Sequence, residues 1–178
     1  MNFQIILFTL GFLLLVLGCA LTFPFVLDHL DDHPNARAFG WTALVALFIG
    51  VGLVIGNRNF PKNLTIKQVF MLTAASWTVF CLFGAIPFCM SEVKATYTDA
   101  VFETVSGLTT TGATVFSGLD GMSRGFNLWR AILHFIGGMG IVAFALILMP
   151  FLQIGGMQLF HSESSDKSEK IMPKTSDI

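Results

Sequence analysis

Phe102-Glu103-Thr104-Val105-Ser106-Gly107-Leu108-Thr109-Thr110-Thr111-Gly112-Ala113-Thr114-Val115 is the stretch that decides the fold. Its first half can wind into a short helix starting near Thr98, with Thr98 as N-cap and Asp99 in the first turn. Its second half suits extended chain, because β-branched Thr side chains hold that conformation. Gly112 adds one residue free to take a positive φ. The whole segment from Tyr97 to Val115 is rich in Thr, Ser and Gly and carries Asp99 and Glu103, so it is too polar and too short to cross a bilayer alone. Composition leaves two readings open, an extracellular loop or a re-entrant segment with a half-helix descending and a strand returning. Non-helical backbone at membrane depth is tolerated only where it is buried in protein or lines a watery cavity, so the second reading points to a pore or transport path.

The flanking sequence favours the second reading. Of 178 residues, 54% are apolar and only 12% charged, with a mean hydropathy of +0.74. A soluble domain carries about 25% charged residues. The uncharged or nearly uncharged runs predict four membrane spans near 3–27, 38–57, 68–90 and 127–151. Pro150 and the Gly155-Gly156 pair are expected to end the last one. The first run is too long for a signal peptide, and no Lys or Arg precedes it. Three parts follow: an N-terminal helix pair over 1–57, a span, pore loop and span over 68–151, and a solvated loop or tail over 152–178. The net charge of −1 offers no basic surface for nucleic acid. No phosphate-binding Gly loop, catalytic triad or facing carboxylate pair is present, so nothing supports an enzyme.

A half-helix entering the membrane points the negative end of its dipole toward the middle, where a cation is favoured. Carbonyls of Thr110, Thr111, Gly112 and Ala113 can then replace an ion's hydration shell, as rings of backbone carbonyls do in potassium filters. Glu103 reads as a brace for the filter, because an unpaired carboxylate at that depth is costly. Lys and Arg set the orientation. The 57–67 loop has Arg58, Lys62 and Lys67 and no acid, whereas the 28–37 loop has Asp28, Asp31 and Asp32 against one Arg. Both termini are therefore expected on the cytoplasmic side, in agreement with Lys167, Lys170 and Lys174 in the tail. Arg124 and Arg130 fall on the outer side and are expected to snorkel to the headgroups.

Several other residues have a plain structural reading. His134 is expected to make a hydrogen bond near the outer mouth. Gly137, Gly138 and Gly140 read as close packing before hinge, and Gly52 with Gly56 as a helix interface. Gly84 and Pro87 suggest a kink. Asp28, His29, Asp31, Asp32 and His33 read as a solvated loop rather than a metal site. Cys19 and Cys81 are expected to be buried apolar residues, and no disulfide framework is implied.

The segment from Phe102 to Thr114 resembles the first filter of the Trk/Ktr superfamily of bacterial potassium uptake proteins, in its TrkH type. Leu128-Trp129-Arg130-Ala131 and His134-Phe135-Ile136-Gly137-Gly138-Met139-Gly140-Ile141-Val142 resemble that family's first inner helix. Gly155-Gly156-Met157-Gln158-Leu159-Phe160 resembles the loop after it. The resemblance implies an all-α membrane protein, two N-terminal helices followed by one repeat of potassium-channel type. It implies inward K⁺ conduction across the bacterial inner membrane, with no cofactor and with K⁺ as substrate. Thr110, Thr111, Gly112 and Ala113 would bind the ion, supported by Glu103, Ser106 and Thr114. The Tyr and second Gly of potassium-channel filters are absent, which implies a less rigid and less selective filter. The family closes its pore with four repeats, so this chain is expected to act with the remaining repeats or with other copies of itself. A cytosolic nucleotide-binding regulatory subunit is the further expected partner. The alternative is a non-conducting truncated or split-gene product acting as an assembly partner, or a homotetrameric channel subunit.

Overall fold

A computed structural model describes residues 3–58, 66–93, 95–143 and 146. Helix α1 covers Gln4–Leu30, α2 Ala36–Gly56, α3 Ile66–Met90 and α4 Tyr97–Leu108. Helix α5 covers Arg124–Ala143. A single 3-10 turn at Leu119–Gly121 lies between α4 and α5, and no β-pairing occurs among the described residues, so the return strand after α4 is a single unpaired segment. The contacts make Met1–Gly138 one compact unit, and the chain from Met139 onward a second. The expected end of the fourth span at Pro150, the tail over 152–178 and most of the 57–67 loop lie outside the described residues.

Four helices, α1, α2, α3 and α5, are long and apolar enough to cross a membrane. At 1.5 Å per residue they reach about 30–40 Å, matching a hydrocarbon core of about 30 Å. Their hydroxyl side chains do not need water. Thr9, Thr42, Thr73, Ser76 and Thr78 each donate to the carbonyl four residues back, at 2.7–2.9 Å. With no hydrophobic drive between helices in lipid, close approach at small residues holds α1 on α2. A Cβ at Gly11 would stand 2.7 Å from Leu53 Cβ, one at Gly18 2.7 Å from Leu47 Cγ, and one at Gly50 2.9 Å from the Gly11 carbonyl. The expected interface at Gly52 and Gly56 is therefore corrected, because both open onto space with no atom within 4 Å. Cys19 is also exposed and Cys81 half-buried, where burial was expected.

Helix α4 has twelve residues and reaches only about 18 Å, half a span. Its N-cap is Thr96, two residues before the expected Thr98. The Thr96 side chain accepts from the Asp99 amide, and the Asp99 carboxylate accepts from the Thr96 amide, so the two form a capping box. The sequence motif Thr-x-x-Asp thus fixes the start of the helix one turn earlier than Asp99 itself. Helix α4 packs between α3 and α5. A Cβ at Gly84 of α3 would meet Thr104 at 2.8 Å, and one at Gly107 would meet Leu133 of α5 at 3.0 Å. Trp129, fully buried, donates its indole N–H to the Gly84 carbonyl at 3.0 Å. Gly84 is thus a packing surface between α3, α4 and α5.

Candidate functional site

The end of α4 packs against the middle of α5. A Cβ at Gly137 would overlap the Leu108 carbonyl, so only glycine lets α5 approach there. Gly137 stands 13 residues past Arg124, about 20 Å along α5, which puts the end of α4 well inside the span. Packing, the expected role for Gly137, is what this contact shows.

There the chain reverses in a hydrogen-bonded helix end. The Thr110 amide donates to the Gly107 carbonyl and the Thr111 amide to the Ser106 carbonyl, both at 3.0 Å. These are the two bonds of a Schellman motif with Thr110 at the left-handed position, φ 58°. Glycine is the usual residue there. A β-branched side chain in that region carries backbone strain, which persists only where surrounding contacts over-determine it. Gly112 follows at φ 77°, the positive φ expected from the sequence. The Thr110 conformation was not expected, because the Thr run reads as extended.

The return segment is fastened to α4 by side chains spaced along that helix. Ser106 donates its hydroxyl to the Ala113 carbonyl at 2.6 Å. The Glu103 carboxylate accepts from the Thr114 hydroxyl at 2.9 Å and from the Val115 amide at 3.3 Å. The Thr114 hydroxyl in turn accepts from the Phe116 amide. Glu103 and Ser106 lie one turn apart on α4, so both side chains reach the return segment. Phe116 then packs with Phe88 and Phe126, with ring centroids 4.9–5.9 Å apart. Among the described residues, no hydrogen bond reaches the carbonyls of Thr110, Thr111 or Gly112. The structure thus brings together Glu103, Ser106, Thr110, Thr111, Gly112, Ala113 and Thr114.

Arg130 of α5 completes the bracket. Its Nε donates to Glu103 Oε1 at 2.6 Å, with 16% of the Arg130 side chain and 2% of the Glu103 side chain exposed. Snorkelling to the headgroups is corrected for Arg130. A buried carboxylate holding two donors from the strand favours a third from a cation over leaving that cation elsewhere. The signal was in the sequence, since Glu103 and Arg130 are opposite charges in apolar surroundings. Arg124 behaves differently and meets Asp31 in an exposed pair at 3.3 Å. His134 makes its expected hydrogen bond, its Nδ1 lying 2.9 Å from the Arg130 carbonyl. Its Nε2 is 3.9 Å from where a Gly112 Cβ would stand.

Of the residues expected in a solvated loop, Asp31 and Asp32 are exposed in the turn after α1 and His29 is exposed at its end, so the expectation fails at Asp28. Asp28 is completely buried within α1. His29 stacks on Phe25, and His33 lies 3.8 Å from Glu92.

Span, capped half-helix, braced return strand and second span define a multi-pass helical membrane protein with one repeat of potassium-channel type. Residues 35–178 match the family model described as TrkH: Cation transport protein. The chain belongs to that family. It is similar to the Trk system potassium uptake protein TrkI of Halomonas elongata, with 38% identity over 97% of this chain and 35% of that protein. It is also similar to the Trk system potassium uptake protein TrkH of Escherichia coli, with 37% identity over 98% of this chain and 37% of that protein. The crystal structure of the potassium transporter TrkH from Vibrio parahaemolyticus superposes with a TM-score of 0.80 at 33% identity, covering 94% of this chain and 36% of that one. The chain thus spans little more than a third of these relatives. Those relatives are named as potassium uptake proteins and a potassium transporter.

Proposed function

We propose that this chain forms part of the pore of a potassium uptake system and passes K⁺ inward through backbone carbonyls of residues 110–113. The observation that carries this reading is the braced strand at the end of α4. Its carbonyls at Thr110, Thr111 and Gly112 accept no hydrogen bond from described residues, while the amides of Thr110 and Thr111 are tied back to the helix. Oxygen ligands held on a rigid frame are what a dehydrated cation needs. The Ala113 carbonyl already accepts from Ser106, so it is the weakest of the four ligands. Glu103, Ser106 and Thr114 support the strand, and no cofactor takes part.

One strand supplies one side of a coordination ring. The other sides come from further repeats of the same transporter or from other copies of this chain. The parts proposed are the N-terminal helix pair over 1–57, the conducting repeat over 68–151 and a cytoplasmic loop or tail over 152–178. The bias of Lys and Arg toward the 57–67 loop puts both termini in the cytoplasm of a bacterial inner membrane. A cytosolic nucleotide-binding subunit is the proposed regulator.

The test is rubidium uptake in cells stripped of their own potassium uptake and carrying this chain from its own locus. Saturable uptake is expected, and Gly112→Val is expected to abolish it while the protein still inserts, because a β-branched residue resists a positive φ. Uptake by Gly112→Val equal to the parent would overturn the proposal. Reconstituting the chain alone in liposomes separates the assemblies, since flux there means that copies of this chain close the ring.

A further inference from the structure

Asp28 is a carboxylate with no exposure, near the end of a helix that takes no part in the repeat. Its partners lie almost a hundred residues away. Asp28 Oδ1 accepts from the Gly125 amide at 2.6 Å and Oδ2 from the Ser123 hydroxyl at 2.8 Å. Ser123 precedes α5 and accepts from the Phe126 amide at 3.2 Å, as an N-cap does. The carboxylate therefore sits on the positive end of the α5 dipole and satisfies one of its free amides. The approach is tight, because a Cβ at Gly125 would fall 2.5 Å from Asp28 Cγ and 2.6 Å from the Pro24 carbonyl. Asn35, 4% exposed, ties the same point to two further segments. It donates to Ser123 Oγ at 3.3 Å and accepts from the Glu92 amide at 3.0 Å.

We propose that Asp28 is a positioning residue of the pore, and that α1 uses it to set the height of α5. Arg130 lies five residues past Gly125 on the rigid helix, about 7.5 Å along its axis. Arg130 holds Glu103, and Glu103 holds Thr114 and Val115. Gly137 of the same helix bears on the Leu108 carbonyl. A shift of α5 along its axis moves the brace and the helix-end contact together. The role of α1 is thus mechanical. It ties the outer end of α5 to a helix outside the repeat. The functional part of this inference rests on the pore reading of residues 110–113, and the structural part does not.

Two variants separate a tie from a mere cap. Asp28→Ala loses the tie and the carboxylate cap on the Gly125 amide, and leaves only the Ser123 cap on Phe126. Adding Ser123→Asp restores the cap, since a carboxylate at that position can accept from the Gly125 and Phe126 amides, but it does not restore the tie to α1. Two readouts are taken on the full chain: the K⁺ concentration for half-maximal rubidium uptake with its competition by Na⁺, and deuterium exchange of the 111–116 amides. Asp28→Ala with Ser123→Asp is expected to recover the parent's amount of membrane-inserted protein. Its 111–116 amides are still expected to exchange about tenfold faster than the parent's, the equivalent of one lost buried hydrogen bond. Half-maximal uptake is expected to stay shifted to higher K⁺. Parental exchange at 111–116 in that double variant overturns the proposal. Exchange decides even if the parent shows no rubidium uptake, an outcome that refutes the pore reading alone.

Discussion

Glu103→Gln changes one atom type and almost no volume, so it isolates the bracket between α4, α5 and the return strand. The carboxylate takes three donors, Arg130 Nε at 2.6 Å, the Thr114 hydroxyl at 2.9 Å and the Val115 amide at 3.3 Å. A carboxamide offers one acceptor oxygen and one donor group. If the oxygen faces Arg130, the amide group faces the Thr114 hydroxyl, which already accepts from the Phe116 amide, and the Val115 N–H loses its partner. That arrangement costs about 1–3 kcal/mol. If the oxygen faces the strand, a buried guanidinium is left against a donor, at about 3–5 kcal/mol. The cheaper arrangement prevails and releases the strand. About 2 kcal/mol raises the population of the detached strand roughly thirtyfold. The expected result in rubidium uptake is weakened discrimination against Na⁺, with a higher K⁺ requirement and unchanged insertion. Adding Arg130→Gln removes the competing donor. The carboxamide oxygen at position 103 can then serve the strand, while its NH₂ group meets the new carboxamide at position 130. The double variant is therefore expected to be more selective than Glu103→Gln alone, with a coupling of about 0.5–3 kcal/mol. Losses that simply add would refute the bracket.

Other substitutions test separate contacts. Thr110→Gly removes a β-branched side chain from φ 58° and is expected to raise thermal stability by about 1 kcal/mol while lowering uptake selectivity; lower stability would show that the Thr110 side chain holds the turn. Gly137→Ala drives a methyl into the Leu108 backbone, so little inserted protein is expected by detergent extraction and gel filtration. Gly50→Ala and Gly52→Ala form a matched pair two residues apart in α2. The first meets the Gly11 carbonyl at 2.9 Å and is expected to lower the melting temperature, whereas the second opens onto space and is expected to gain about 0.5–1 kcal/mol of helix propensity. The reverse order would move the α1–α2 interface to the other face.

What could be read from the sequence was local. Uncharged runs gave the four spans because lipid admits few alternatives to a helix of that length. Gly112 announced a positive φ, and Glu103 announced a brace because an unpaired acid at that depth is unfavourable. Gly52 and Gly56 misled because α2 is apolar on every side, so spacing alone does not say which small residues face α1. Asp28 misled for the opposite reason. Its neighbours in sequence, Asp31 and Asp32, describe a wet loop, while its hydrogen-bond partners Ser123 and Gly125 are reached only after the chain has folded.

Thr110 shows the limit from the other side. Its conformation is imposed by its neighbours, since the Ser106 and Gly107 carbonyls capture the Thr111 and Thr110 amides and leave the left-handed region as the only way out of the helix. Glycine at 110 would satisfy that geometry with less strain. A threonine hydroxyl and a stiffer backbone are what its replacement by glycine would lose. Local rules are broken most often where a site needs something else from the residue. The strained Thr110, two residues before a glycine at φ 77° and on the strand braced by Glu103, is therefore the position where stability and ion selectivity should part most clearly. A Thr110→Gly protein that is both more stable and equally selective would remove the reason for that threonine.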